Sequence, residues 1–136
     1  MACKTIGRFV TSANPALAVA EGDSIPLNKS TVSNNCVSCN DGATITITAP
    51  GVYQVLGNFT FAATAAGNVE TQLYRNGNAI PGAHAINTAA AAGDGVSQAM
   101  SAVITVPAAS PYVTVSFRAE VATSVVIANA IVTKVA

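Results

Sequence analysis

The residues best suited to chemistry in this chain are three cysteines and one histidine. Cys36-Val-Ser-Cys39 has the two-residue spacing common to zinc sites and redox dithiols, and it lies in a loop rich in Asn and Ser. A structural zinc site needs four ligands, and only Cys3 and His84 remain to complete one. A redox dithiol of this spacing expects a βαβ setting, which the pattern around the loop lacks. Free thiols are a further reading, as is a disulfide within the pair, to Cys3, or between subunits. Because the count is odd, at least one thiol per chain is unpaired or bonded between chains.

His84, in Pro81-Gly-Ala-His-Ala-Ile86, would need a neighbouring nucleophile and an orienting acid to work in covalent catalysis. No Gly-x-Ser-x-Gly elbow supplies one. The six acids (Glu21, Asp23, Asp41, Glu70, Asp94 and Glu120) are scattered, so no general acid and base pair can be read from their spacing. Asn40-Asp41-Gly42 and Gly93-Asp94-Gly95 could each lend an oxygen to calcium, which wants six to eight. As neither forms a recognised calcium loop, both read as turns. These residues point to no enzyme, and no cofactor or resident metal is expected.

The elements that would position such groups are strands. Val and Ile number 26 against 4 Leu, with 14 Thr beside them, and β-branched side chains suit a pleated surface better than a helix. Period-two alternation recurs along the chain. It runs without a fault over residues 43–48, and again through Tyr53, Val55, Phe59 and Phe61. Val69, Thr71 and Leu73 repeat it, as do Val113, Val115, Phe117, Ala119 and Val121. Residues 5–10 and 17–20 predict two less regular strands ahead of the Asn/Ser loop. The turn chemistry falls between these runs, with Asn76-Gly77 a strong hairpin signal. Arg118 and Glu120 share a polar strand face, where charged residues commonly pair across strands. The expected fold is all-β, an antiparallel sandwich in one domain spanning residues 1–136. Residues 1–42 form its less regular N-terminal part, and 43–136 carry the regular pattern.

At 136 residues the chain is long enough for one real core. Its balance of six acids and six bases argues against nucleic acid, which expects a basic footprint. No apolar run approaches the ~20 residues of a spanning helix, so membrane insertion is not expected. Met1-Ala-Cys-Lys-Thr-Ile-Gly-Arg8 has no apolar stretch behind its basic residues, so no secretory signal is recognised. Only 9% of residues are charged while 51% are hydrophobic, which leaves much apolar surface to cover. The last strand concentrates it. Both parities are apolar in Val125-Val126-Ile127-Ala128-Asn129-Ala130-Ile131-Val132, whereas an antiparallel sandwich strand normally has one polar face. Val125, Val126, Ile127, Ala128, Ala130, Ile131 and Val132 are therefore candidates for a subunit interface.

Ala49-Pro-Gly-Val-Tyr-Gln-Val-Leu-Gly-Asn-Phe-Thr-Phe61, with Gly51 and Tyr53 as its signature pair, resembles the Gly-x-Tyr strand of a known superfamily. That superfamily comprises complement globular heads and tumour-necrosis-factor-like proteins. Leu73-Tyr-Arg-Asn-Gly-Asn-Ala-Ile-Pro-Gly82 resembles the Asn-Gly hairpin of its bacterial and phage branch, which includes heads of collagen-like spore-surface glycoproteins and small phage virion proteins. The resemblance implies a jelly roll of about ten strands assembled as a homotrimer, with a structural rather than catalytic role. It implies a virion or other extracellular surface as the location, as decoration or fibre component, with a capsid or other particle surface as partner. The alternative it implies is an adhesin head gripping a glycan or protein on a host surface. No collagen-like Gly-X-Y segment is present.

Overall fold

Alternating Val, Ile, Phe and Thr side chains build ten strands in a computed structural model that describes residues 5–32 and 36–136. In chain order they are β1 (Ile6–Val19), β2 (Lys29–Val32), β3 (Val37–Ser38), β4 (Ile45–Ile47) and β5 (Gly51–Ala63). β6 (Gly67–Arg75), β7 (Asn78–Ala89), β8 (Gly95–Val106), β9 (Val113–Ala119) and β10 (Thr123–Lys134) follow. Two five-stranded sheets result, in the orders β2-β1-β10-β5-β8 and β3-β4-β9-β6-β7, with every pairing antiparallel. Residues 5–10 and 17–20 are not two strands. Ile6–Val19 form one strand, β1, whose pairing with β10 shifts register between Ser12 and Leu17, with Thr5 and Ala20 just outside it.

The core lies between the sheets, and one of its tight points is at Gly57. A Cβ there would stand 2.6 Å from Phe117 Cε1, so the Phe117 ring lies directly on the β5 backbone. Phe117 also meets Phe59 edge to face, with ring centres 5.0 Å apart, a favoured aromatic geometry. The Gly-x-Tyr pair has a mechanical role. Gly51 takes φ +145°, a conformation L side chains rarely adopt, beside Lys134 and the Ala136 carbonyl. Two residues on, fully buried Tyr53 donates its hydroxyl to the Ala49 carbonyl at 2.8 Å, closing the turn from inside. At the β6–β7 hairpin, Asn76 and Gly77 both have positive φ, 51° and 82°, as a type I′ turn requires.

One buried polar tie joins the two sheets. Gln98 on β8 donates from Nε2 to the Val69 carbonyl at 2.7 Å and accepts from Thr71 Oγ1 at 2.6 Å. Thr71 is fully buried and Gln98 4% exposed. Gln98→Ala strands both β6 groups away from water, so it is expected to lower stability by about 2 kcal/mol. Urea unfolding checks this, and a loss under about 0.5 kcal/mol would show that water replaces the amide.

The two ends of the sandwich differ. Lys134 N–H donates to the Thr5 carbonyl and Val52 N–H to that of Ala136, bringing Thr5 and Ala136 to the same end. The opposite end carries the turns around residues 20–24, 64–66, 90–94 and 120–122, tied by Gly22 N–H to Ala119 O and Gly93 N–H to Ala63 O.

Candidate functional site

Strand alternation sorts the last strand into two faces, with one interruption. Both ladders of β10 shift register around Val126, where Val125 pairs with Phe61 but Ile127 with Thr60. This bulge reverses parity, so Val125 on one side of it and Ala128, Ala130 and Val132 on the other all point into the core, each 0% exposed. These four candidate interface residues belong to the protomer's own interior. Ile127, 49% exposed, and half-buried Ile131 face outwards, with Val126 half-buried at the bulge.

The register shows what surrounds them. One row across the sheet is Arg8, Ile131, Leu56 and Ser101; the next is Val10, Asn129, Asn58 and Ala99. A third is Ser12, Ile127, Thr60 and Ser97, and at the other side Ile6, Thr133, Gln54 and Val103 form a fourth. Ile6, Ile127 and Val103 are 43%, 49% and 65% exposed. Arg8 is the only charged residue at an outward position on β1, β10, β5 and β8. The sequence pattern pointed to β10 but missed Ile6, Val10, Leu56 and Val103, because only strand pairing reveals that they share this face.

The outward face of the second sheet is differently built. Tyr74 on β6 donates its hydroxyl to Glu120 Oε1 and holds the Arg118 guanidinium 4.2 Å from its ring centre. Glu120, accepting that bond, pushes the Tyr74 phenol above its usual range. Arg118 and Glu120 thus meet through an aromatic on the next strand. His84 Nε2 stands 3.3 Å from Glu70 Oε1.

Cys36 and Cys39 differ in state. Cys36 is disulfide-bonded, Cys39 keeps a free thiol, and Cys3 lies outside the described residues. Burial pushes the Cys39 thiol up to about 11, with the charge of Asp41 adding and the Gly42 amide opposing. At pH 8 it is therefore expected to react with a disulfide reagent about a hundredfold more slowly than in denaturant; equal rates in the two would disprove the burial. Because the native thiol holds its proton more tightly, its contribution to stability is present below about pH 9 and fades towards pH 11.

Burial works against the charge on Asp41, but the Thr44 and Ala43 amides that its Oδ1 accepts, at 2.6 and 3.0 Å, outweigh it and lower its pKa. Asp94 Oδ2 accepts from Ala91 N–H at 3.1 Å. Both carboxylates are turn caps. Among the described residues, no cluster of three His, Cys, Asp or Glu side chains could hold a metal. No helix among them is long and apolar enough to cross a membrane.

Comparison with models of known protein families finds no match, and comparison with curated proteins finds none. Solved structures do match over almost the whole chain. The globular domain of a zebrafish complement 1qA protein superposes with a TM-score of 0.70 at 10% identity, covering 98% of each chain. An Eiger tumour necrosis factor from S. frugiperda gives 0.71 at 8% identity, covering 96% of this chain and 92% of that one. The PRD1 vertex protein P5 gives 0.57 at 13% identity, covering 99% and 100%. The fold is thus the jelly roll of complement and tumour-necrosis-factor heads, which the Gly-x-Tyr and Asn-Gly segments implied.

Proposed function

We propose that this chain is the subunit of a non-enzymatic homotrimeric head on a virion or related extracellular particle, as a decoration or fibre component. The outward face of β1, β10, β5 and β8 carries this reading. A sheet face with one charge, and with Ile6, Leu56, Val103, Ile127 and Ile131 among small polar residues, is built to be covered. Four strands about 4.8 Å apart and some twelve residues long present roughly 800 Å², close to one partner's share of a standard interface. The trimer follows the family resemblance, and a ring in which each copy covers the next closes without leaving a free face. Likeness to a vertex protein supports a place on a particle surface.

Sedimentation equilibrium or native mass spectrometry tests the assembly, with a mass of three protomers expected. A stable monomer at micromolar concentration would overturn it.

A further inference from the structure

Resting on the reading that this sheet face is covered in the assembly, we infer that Arg8 is the centre of an oxyanion site. Arg8 lines a depression of about 520 Å³ together with Asn58, Asn129, Thr60, Ser97 and Ile127. Arg8 Nε donates to Asn129 Oδ1 at 3.0 Å, and Nη1 makes a longer contact of 3.4 Å to Thr31 Oγ1. Those bonds fix the plane of the fork while leaving the Nη2 donors without a protein acceptor among the described residues. Asn129 offers its oxygen to Arg8, so its amide nitrogen remains a donor. Asn58 lies directly across from Asn129 in the ladder, and Thr60 across from Ile127. The lining thus combines one positive charge with amide and hydroxyl donors and no carboxylate, which is the donor set for a sulfate, phosphate or carboxylate group.

Assembly favours that ligand. A guanidinium covered by apolar surface without a counter-charge is strongly unfavourable. The protein's own acids are poorly placed to supply one. Asp41 and Asp94 cap turns, Glu120 binds Tyr74 and Glu70 faces His84. Glu21 and Asp23 stand just past the end of β1, which the pairing with β10 (Arg8 opposite Ile131, Val19 opposite Thr123) puts roughly 25 Å from Arg8. A small oxyanion from solution is the remaining counter-charge.

The test titrates inorganic sulfate against sodium chloride at matched ionic strength, using the whole chain and an Arg8→Met variant. The Arg8 Nε–Hε NMR resonance, assigned by its loss in the variant, is expected to shift and saturate at millimolar sulfate. Over the same range the concentration for half-dissociation of wild type should fall about tenfold. Arg8→Met should assemble without sulfate and show only the small general response that sulfate gives any buried interface. A shift that is absent or never saturates overturns the proposal, as does an equal sulfate response in both proteins. Sulfate-independent assembly of wild type, lost in Arg8→Met, would overturn it in favour of a neighbouring copy's carboxylate. A saturable shift in a protein that stays monomeric upholds the anion site while removing the assembly reading.

Discussion

Ala130→Asp is expected to destabilise the protomer severely, while Ile127→Asp, three residues away on β10, leaves a stable protomer that no longer assembles. Ala130 is 0% exposed and sits opposite Gly57, beneath the aromatic cluster. A carboxylate there has no partner and no water, and burying an unpaired charge belongs to the most destabilising class of substitution, about 4 kcal/mol or more. In a domain of ordinary stability that lowers the midpoint of thermal unfolding by roughly 15 °C or leaves the chain insoluble. Ile127 is half exposed on the opposite face, so Ile127→Asp should change protomer stability by about 0.5 kcal/mol or less. In the proposed trimer it would place a charge in a covered apolar surface and should convert trimer to monomer. Thermal unfolding with sedimentation of both variants reads these effects separately. An Ile127→Asp protein that stays trimeric would exclude this face from the interface.

The second large effect lies across the ladder. Gly57→Val is expected to destabilise the protomer by about 3 kcal/mol, because its Cβ alone would overlap the Phe117 ring. The neighbouring atoms are a core aromatic rather than the free end of a flexible chain, so relief requires Phe117 to leave its contact with Phe59. Phe117→Leu makes room, and the double variant should be less destabilised than the sum of the two singles by at least about 1 kcal/mol. Urea denaturation of the four proteins completes the cycle. Strict additivity would show that the strain at Gly57 arises elsewhere.

Strands that alternate apolar with polar residues could be read directly. Residues 43–48 and 113–119 declare their core faces because every outward position is polar, and 53–61 declares its own through Tyr53, Val55, Phe59 and Phe61 in spite of Gly57 inside and Leu56 outside. β8 does not, since Gln98 faces inwards and Val103 outwards; its core member is polar for the sake of Val69 and Thr71 on the other sheet. β10 was legible as a strand but not as two faces. Its two-sided apolar pattern comes partly from the bulge at Val126, which exchanges parity within a single strand. The outward residues that truly need cover are fewer than the pattern suggested, and half of their neighbours come from strands distant in sequence. The Gly-x-Tyr pair was legible as a signature, yet its work, a hydroxyl closing the turn at Ala49, depends on a buried carbonyl that no spacing reveals. The two-residue spacing of Cys36 and Cys39 suggested one site, whereas one sulfur is bonded and the other is a desolvated thiol.

Thr5 and Ala136 are hydrogen-bonded into the same end of the sandwich, and four turns occupy the other. This gives the head a direction: whatever is held beside Thr5 and Ala136 becomes a pedestal, and the turns become the summit. A peptide grafted into the exposed turn at residues 90–94, whose side chains bury little, would be carried at the point farthest from that attachment. In a ring of such heads the grafts would stand side by side on one crown, so even a weak ligand there would be offered in several copies at once.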